Sequence, residues 1–185
     1  MIKQILLVLS AVLLITSCDN AVKYKTELAD ISLYQSKLDS LYDDINRIEF
    51  DSLVYMQTEA DKNEKIIRTY YAPDTIEVIF AEKLNLNKGV RKSLKSIMNQ
   101  KTQILREIDE LKIQFKNLKI DILEGIYDTD QITDYLNVEK LDYDILELSS
   151  RELDINQSKQ KKSFYYANPQ ITQYVEIIMN GLEKP

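Results

Sequence analysis

The sequence predicts an all-α fold, an elongated antiparallel bundle of three long, coiled-coil-like helices with two short helices capping one end. Three observations carry this. Only three glycines and three prolines occur in 185 residues, too few breakers for a chain of short elements. Lys, Glu, Asp, Leu and Ile dominate the composition. Apolar residues recur at steps of three and four over long distances, the period of one helix face.

The first helix is read from a stripe through Leu28, Ile31, Tyr34, Leu38, Leu41, Ile45 and Ile48, continuing more weakly through Leu53, Met56, Ala60, Ile67 and Tyr70. Unbroken from residue 22 to 70, it would extend about 70 Å at ~1.5 Å per residue. Tyr71-Ala72-Pro73-Asp74 stops it, because Pro73 cannot continue a helix yet suits a first turn, and Asp74 favours a helix start. Ile76, Ile79, Phe80 and Leu84 then make a short helical face. The β-branched run 75–80 also fits a strand, but helix is preferred. Asn85 to Gly89 reads as a turn.

The second long helix is the cleanest. Val90, Leu94, Ile97, Lys101, Ile104, Ile108, Leu111, Phe115, Leu118 and Ile122 alternate steps of four and three, a heptad seam with the single polar member Lys101. Met98, Leu105 and Ile126 widen it to the face a bundle needs. Lys101 is expected in a partly exposed layer. Gly125 to Asp130 forms the next turn. A third helix over 131–164 carries the stripe Tyr135, Val138, Leu141, Ile145, Leu148 and Ile155. Asn168 then suits an N-cap and Pro169 a first turn, opening a last short helix with Ile171, Tyr174, Val175 and Ile178 on one face.

Tyr70-Tyr71-Ala72-Pro73 and Tyr165-Tyr166-Ala167-Asn168-Pro169 echo each other, each leading into a short apolar helix. In an up-down-up bundle both corners fall at the same end, where the short helices pack as a cap.

The first 18 residues say where this bundle works. Lys3 precedes an apolar run over residues 5–15, shorter than the ~20 residues of a membrane span but proportioned like a secretory signal. The run ends in Leu14-Ile15-Thr16-Ser17-Cys18. This segment resembles the lipobox of bacterial lipoproteins, with aliphatic Ile15 three before the cysteine and Thr16 and Ser17 in the tolerated slots. The resemblance implies cleavage before Cys18, lipidation of its sulfur and acylation of its new amino group. Two or more acyl chains hold a protein stably at a bilayer, where one does not. The expected organisation is a signal peptide over 1–17, lipidated Cys18 with a short tether to residue 27, and one bundle domain over 28–185. Its body lies outside the cytoplasm in a bacterial cell envelope, on either the inner or the outer membrane. With Cys18 at the bilayer, the turn at 127–130 faces the membrane and both tyrosine corners lie far from it.

Composition narrows the chemistry. Net charge is −6, and −7 once Lys3 is removed, which disfavours nucleic acid and anionic head groups as partners. Cys18 is the only cysteine, so no internal disulfide forms. No histidine occurs, which removes histidine-based triads and metal sites, and the isolated glycines make no phosphate loop. Carboxylates such as Asp43 with Asp44, or Asp142, Asp144 and Glu147, read as solvated faces rather than a hydrolytic pair. Asp128, Asp130, Asp134 and Glu139 match part of an EF-hand loop, but Ile132, Thr133 and Leu136 occupy ligand or turn places, so an acidic helix start is preferred to calcium. No catalytic residue, metal or cofactor is assigned.

Among twelve tyrosines, Tyr34, Tyr42 and Tyr135 lie on or beside core stripes. The distal group offers a partner surface: Tyr70, Tyr71, Ile76, Phe80, Tyr165, Tyr166 and Tyr174. Aromatic residues with few charges are typical of interface cores, although the same residues could simply close the bundle end. The leading reading is a membrane-anchored, non-catalytic helical lipoprotein that binds another protein as an accessory or assembly subunit. A self-associating structural spacer is the alternative, with an enzyme or small-ligand carrier well behind. The partners are thus the bilayer through Cys18 and either another protein or a second copy.

Overall fold

The computed structural model describes residues 19–71 and 76–182. The leader, Cys18 and the proposed stop at Ala72-Pro73-Asp74 lie outside them. Among the described residues there are four long helices and no strand: α1 (Lys25–Asn46), α2 (Phe50–Tyr70), α3 (Val78–Glu124) and α4 (Thr129–Leu182). No helix among them is long and apolar enough to cross a membrane. The all-α bundle is therefore observed, but its element count differs from expectation, and each difference has a physical reason.

The first helix is not continuous. Between α1 and α2 the buried positions step by five, from Ile48 to Leu53, instead of three or four. A helix cannot keep both on one face, so the chain breaks and restarts with Glu49 in an extended conformation. Conversely, the two short capping helices are not separate elements. Phe80, Lys83, Asn87, Val90 and Leu94 are all buried at alternating steps of three and four, so α3 runs straight through the expected turn at Asn85–Gly89. Phe164, Ala167, Ile171 and Val175 likewise keep one buried face through Pro169, which itself is exposed, and α4 continues for 54 residues. Ile76 and Glu77 belong to no regular element, and helix begins at Val78, so no strand forms at 76–80. The expected tether is also ordered: residues 19–23 are helical and Tyr24 is buried.

The described residues divide into two compact units, one within 1–45 and 104–149 and the other within 46–103 and 150–185. In the first unit, α1 runs antiparallel to the second part of α3 and parallel to the first part of α4. Tyr34 stacks on Phe115 at 5.7 Å and meets Tyr143 edge-on at 5.1 Å. Lys112 pairs with Asp39 at 2.7 Å and Lys140 with Asp30. Around them lie Ile31, Leu38, Ile108, Leu111, Ile122, Ile132 and Leu136, all buried.

The α3–α4 turn closes this unit at the end where Asn20 and Tyr24 pack. Gly125 adopts φ +70° and its N–H donates to the Ile122 carbonyl, while Ile126 N–H donates to Asp121, which is a Schellman motif. Asn20 Nδ2 donates to the Leu123 carbonyl at 3.3 Å, and the Tyr24 hydroxyl lies 3.4 Å from that of Thr129.

In the second unit, α2 runs antiparallel to the first part of α3 and parallel to the second part of α4. Its core includes Leu53, Met56, Ala60, Ile67, Leu94, Leu153 and Ile171. Polar side chains are built into it. Asn63 donates to Asn168 Oδ1 at 3.1 Å, and Asn87 Nδ2 donates to the Ala60 carbonyl at 3.2 Å. Lys83 donates to the Tyr166 carbonyl at 3.0 Å, one residue beyond the Tyr165 carbonyl that Pro169 leaves without its helical donor. Asn168 is thus a mid-helix partner rather than a cap. Lys101, expected in a partly exposed layer, is buried and donates to the carbonyls of Ile48 at 2.5 Å and Asn46 at 3.5 Å, where α1 ends.

Two glycines make opposite predictions. An added Cβ at Gly89 meets nothing within 4 Å, so Gly89→Ala in mid-helix should stabilise by about 0.5–1 kcal/mol. At Gly125 the same atom would sit 2.8 Å from Asn20 Nδ2 on a left-handed backbone, so Gly125→Ala should destabilise by about 1–2 kcal/mol. Thermal or urea melts of both variants check the pair of signs.

Candidate interaction surfaces

The seven aromatic and aliphatic residues of the expected partner surface divide into two sets, all within the second unit. Phe80 is fully buried, and Tyr71 and Tyr174 are half-buried around it. Phe80 stacks on Tyr174 with ring centroids 3.9 Å apart, and Tyr71 meets both rings edge-on at 5.4 and 6.0 Å. This trio sits in a core of Ile67, Ala167, Ile171 and Val175, joined by Leu84, Leu86 and Ile178. The segments after the two tyrosine corners therefore do pack together at one end of their unit, as turns of long helices. The trio closes that end, with Phe80 buried and Tyr71 and Tyr174 half-buried.

Tyr70, Ile76, Tyr165 and Tyr166 are exposed, between 48% and 64%. They are joined by apolar residues that periodicity alone did not single out: Val78 at 85%, Ile79, Ile177 and Met179. Val78 and Ile79 immediately precede Phe80 on the turn that leads into the core, while Ile177 and Met179 flank the half-buried Ile178. Each pair is thus placed at the unit's end by a neighbour that anchors it. A contiguous run such as Ile76 to Phe80, in which one member is buried, is the signal that could have found the exposed ones.

A second apolar surface contradicts expectation more directly. The stripe Tyr135, Val138, Leu141, Ile145, Leu148 and Ile155 was expected to face the core, and every member is exposed. The buried face of α4 instead carries Ile132, Leu136, Tyr143, Leu146, Ser150, Leu153 and Gln157. In heptad terms the two stripes lie about 150° apart around the helix. The exposed one is the more continuously aliphatic of the two.

Concave sites are slight. In the first unit a groove of about 260 Å³ lies between α3 and α4, lined by Glu107, Glu110, Leu111, Gln114, Asp142, Ile145 and Leu146. In the second, one of about 160 Å³ is lined by residues including Glu64, Ile67, Arg68 and Leu84. Both fall below the ~300–1,000 Å³ of typical ligand pockets. Among the described residues no group of three or more metal-ligating side chains comes together. The partial EF-hand is a helix start. Asp128 Oδ1 accepts from Gln131 N–H at 2.9 Å and Gln131 Oε1 accepts from Asp128 N–H at 3.1 Å, a reciprocal capping box. Asp130 and Asp134 then lie on α4 itself.

Glu139, the last member of that array, is different. Its Oε2 is buried with no hydrogen-bond donor among the described residues, and burial, then the charge of Asp142, raises its carboxyl above the ordinary value. No protein-family model, curated protein or solved structure matches this chain.

A carboxyl whose folded value is raised binds more protons when folded, so its stabilising contribution is present below 4.5 and is lost as pH rises through the folded value. Glu139→Gln removes that loss. Its urea midpoint should exceed that of the parent at about pH 7, with the difference shrinking toward about pH 4.

Proposed function

We propose that the protein is a membrane-anchored, non-catalytic helical lipoprotein of the bacterial cell envelope that binds another protein as an accessory or assembly subunit. The observation that carries this is the set of exposed apolar residues next to the closed aromatic core of the second unit: Tyr70, Ile76, Val78, Ile79, Ile177 and Met179, with Tyr165 and Tyr166 exposed further along α4. Exposed apolar residues gathered at one place mark interaction sites on soluble bodies. The small grooves offer a ligand little enclosure by comparison.

The anchor reading rests on the lipobox-like Leu14–Cys18 segment. It is supported by what lies next to it. Asn20, two residues beyond Cys18, bonds to the end of α3, and the α3–α4 turn packs against Asn20 and Tyr24. Acyl chains on Cys18 would hold this turn against the bilayer. Val22 and Ile126, both exposed and apolar, belong to the same end. Glu and Asp on the rest of the surface would keep the body in water.

The structural-spacer reading is favoured by a different observation, the exposed α4 stripe, and is compatible with partner binding elsewhere.

Cells expressing the full chain and fed labelled palmitate should incorporate label and hold the protein in the membrane fraction, whereas Cys18→Ala should lose both. From such membranes, Ile79→Glu should capture its protein partner at least roughly tenfold less well than the parent while keeping the same melting temperature, as expected where an exposed anchor sits at an interface core. Label-free, soluble parent protein would rule out the anchor, and equal recovery with Ile79→Glu would rule out this surface.

A further inference from the structure

We infer that α4 pairs with α4 of a second copy, forming a parallel two-stranded seam through Val138, Leu141, Ile145 and Leu148. All four side chains belong to the first unit and are 54–59% exposed. Their steps of three, four and three place them at successive a and d positions of a heptad. The a positions are β-branched, Val138 and Ile145, and the d positions are Leu141 and Leu148. That assignment is the one that favours two parallel strands over higher assemblies.

The seam does not compete with the unit's own core. Leu136, Tyr143 and Leu146 are buried on the far side of the helix. A chain that spends its best aliphatic stripe on solvent while burying Ser150 and Gln157 has its α4 sequence explained by an outer contact as well as an inner one.

The flanking positions choose the occupant's direction. In a parallel pair, Asn137 faces Asp142 of the other copy and Asp144 faces Ser149, so no like charges flank these four layers, and the seam is bounded by Asp134 and Glu152 at the next d and a positions. In the antiparallel pair that matches Val138 with Leu148 and Leu141 with Ile145, Asp142 would face Asp142 and Asp144 would face Asp144. Two such repulsions disfavour that register. A twofold parallel contact is also closed and self-complementary, giving a dimer rather than a filament. The direction follows from these charges and does not rest on the lipid anchor, although copies held to one bilayer by Cys18 would share it.

The test uses the full chain in cells, with a photoreactive benzoylphenylalanine at Val138 or Ile145 and two differently tagged copies expressed together. Illumination should give an adduct carrying both tags, and the same probe at exposed Ser40 on α1 should give none. The Val138 adduct should map to the region around Val138 of the other copy. Leu148→Asp in both copies should reduce the adduct roughly tenfold or more. Helicity and melting temperature should not change, because Leu148 is 58% exposed in its own chain. An adduct with a different protein, mapping of the Val138 adduct to the neighbourhood of Leu148, or the same adduct yield from Ser40 would each overturn the proposal.

Discussion

The buried ammonium of Lys101 donates to the carbonyls of Asn46 and Ile48, in the stretch where the chain leaves α1 and restarts as α2. Where α1 stops, its last carbonyls lose their helical donors. Such groups, when buried, cost about 1–3 kcal/mol each if left unmade. Lys101 supplies the donor from α3, and its charge also meets the negative end of the α1 dipole. The cost falls on the lysine, whose pKa is lowered by burial and then by the nearby charge of Lys161. The break in turn lets the chain reset its phase between Ile48 and Leu53, so that α1 and α2 both keep apolar faces inward. Lys83 and Asn87 extend the same device along α3, each giving a donor to a backbone carbonyl of a neighbouring helix. A polar seam of this kind ties register to particular backbone atoms, which aliphatic packing alone does not.

This explains where sequence periodicity was sufficient and where it misled. The α3 seam from Val90 to Ile122 was legible because strong aliphatic residues hold every position but one. Its extension back to Phe80 was hidden because Lys83 and Asn87 occupy seam positions and look like a turn. Pro169 looked like a helix start because its missing N–H is a local fact, whereas the continuity of Phe164, Ala167, Ile171 and Val175 is tertiary. The step of five at Ile48–Leu53 was a readable sign of the break. The buried face of α4 departs from its most apolar stripe for a deeper reason. Hydrophobicity identifies the stripe that prefers burial, and on this helix the preferred stripe is not the one the single chain buries.

The candidate surfaces follow the same division. Tyr71, Phe80 and Tyr174 close the end of the second unit by stacking on one another, as aromatic residues at a bundle end do when their neighbours are aliphatic. Tyr70, Tyr165 and Tyr166 share their sequence neighbourhood but point elsewhere, which only the helix phase reveals. Two exposed apolar surfaces result, one on the second unit around Ile79 and one along α4 of the first.

Native-state hydrogen exchange on Lys101→Met tests the dependence on Lys101 most directly. Methionine keeps the length of the side chain while removing the donor. Protection of the amides from Ile45 to Met56 should fall selectively, with a global loss of about 1–3 kcal/mol. Unchanged protection in that segment, together with equal or greater stability, would show that the α1–α2 break stands without the lysine and would contradict it.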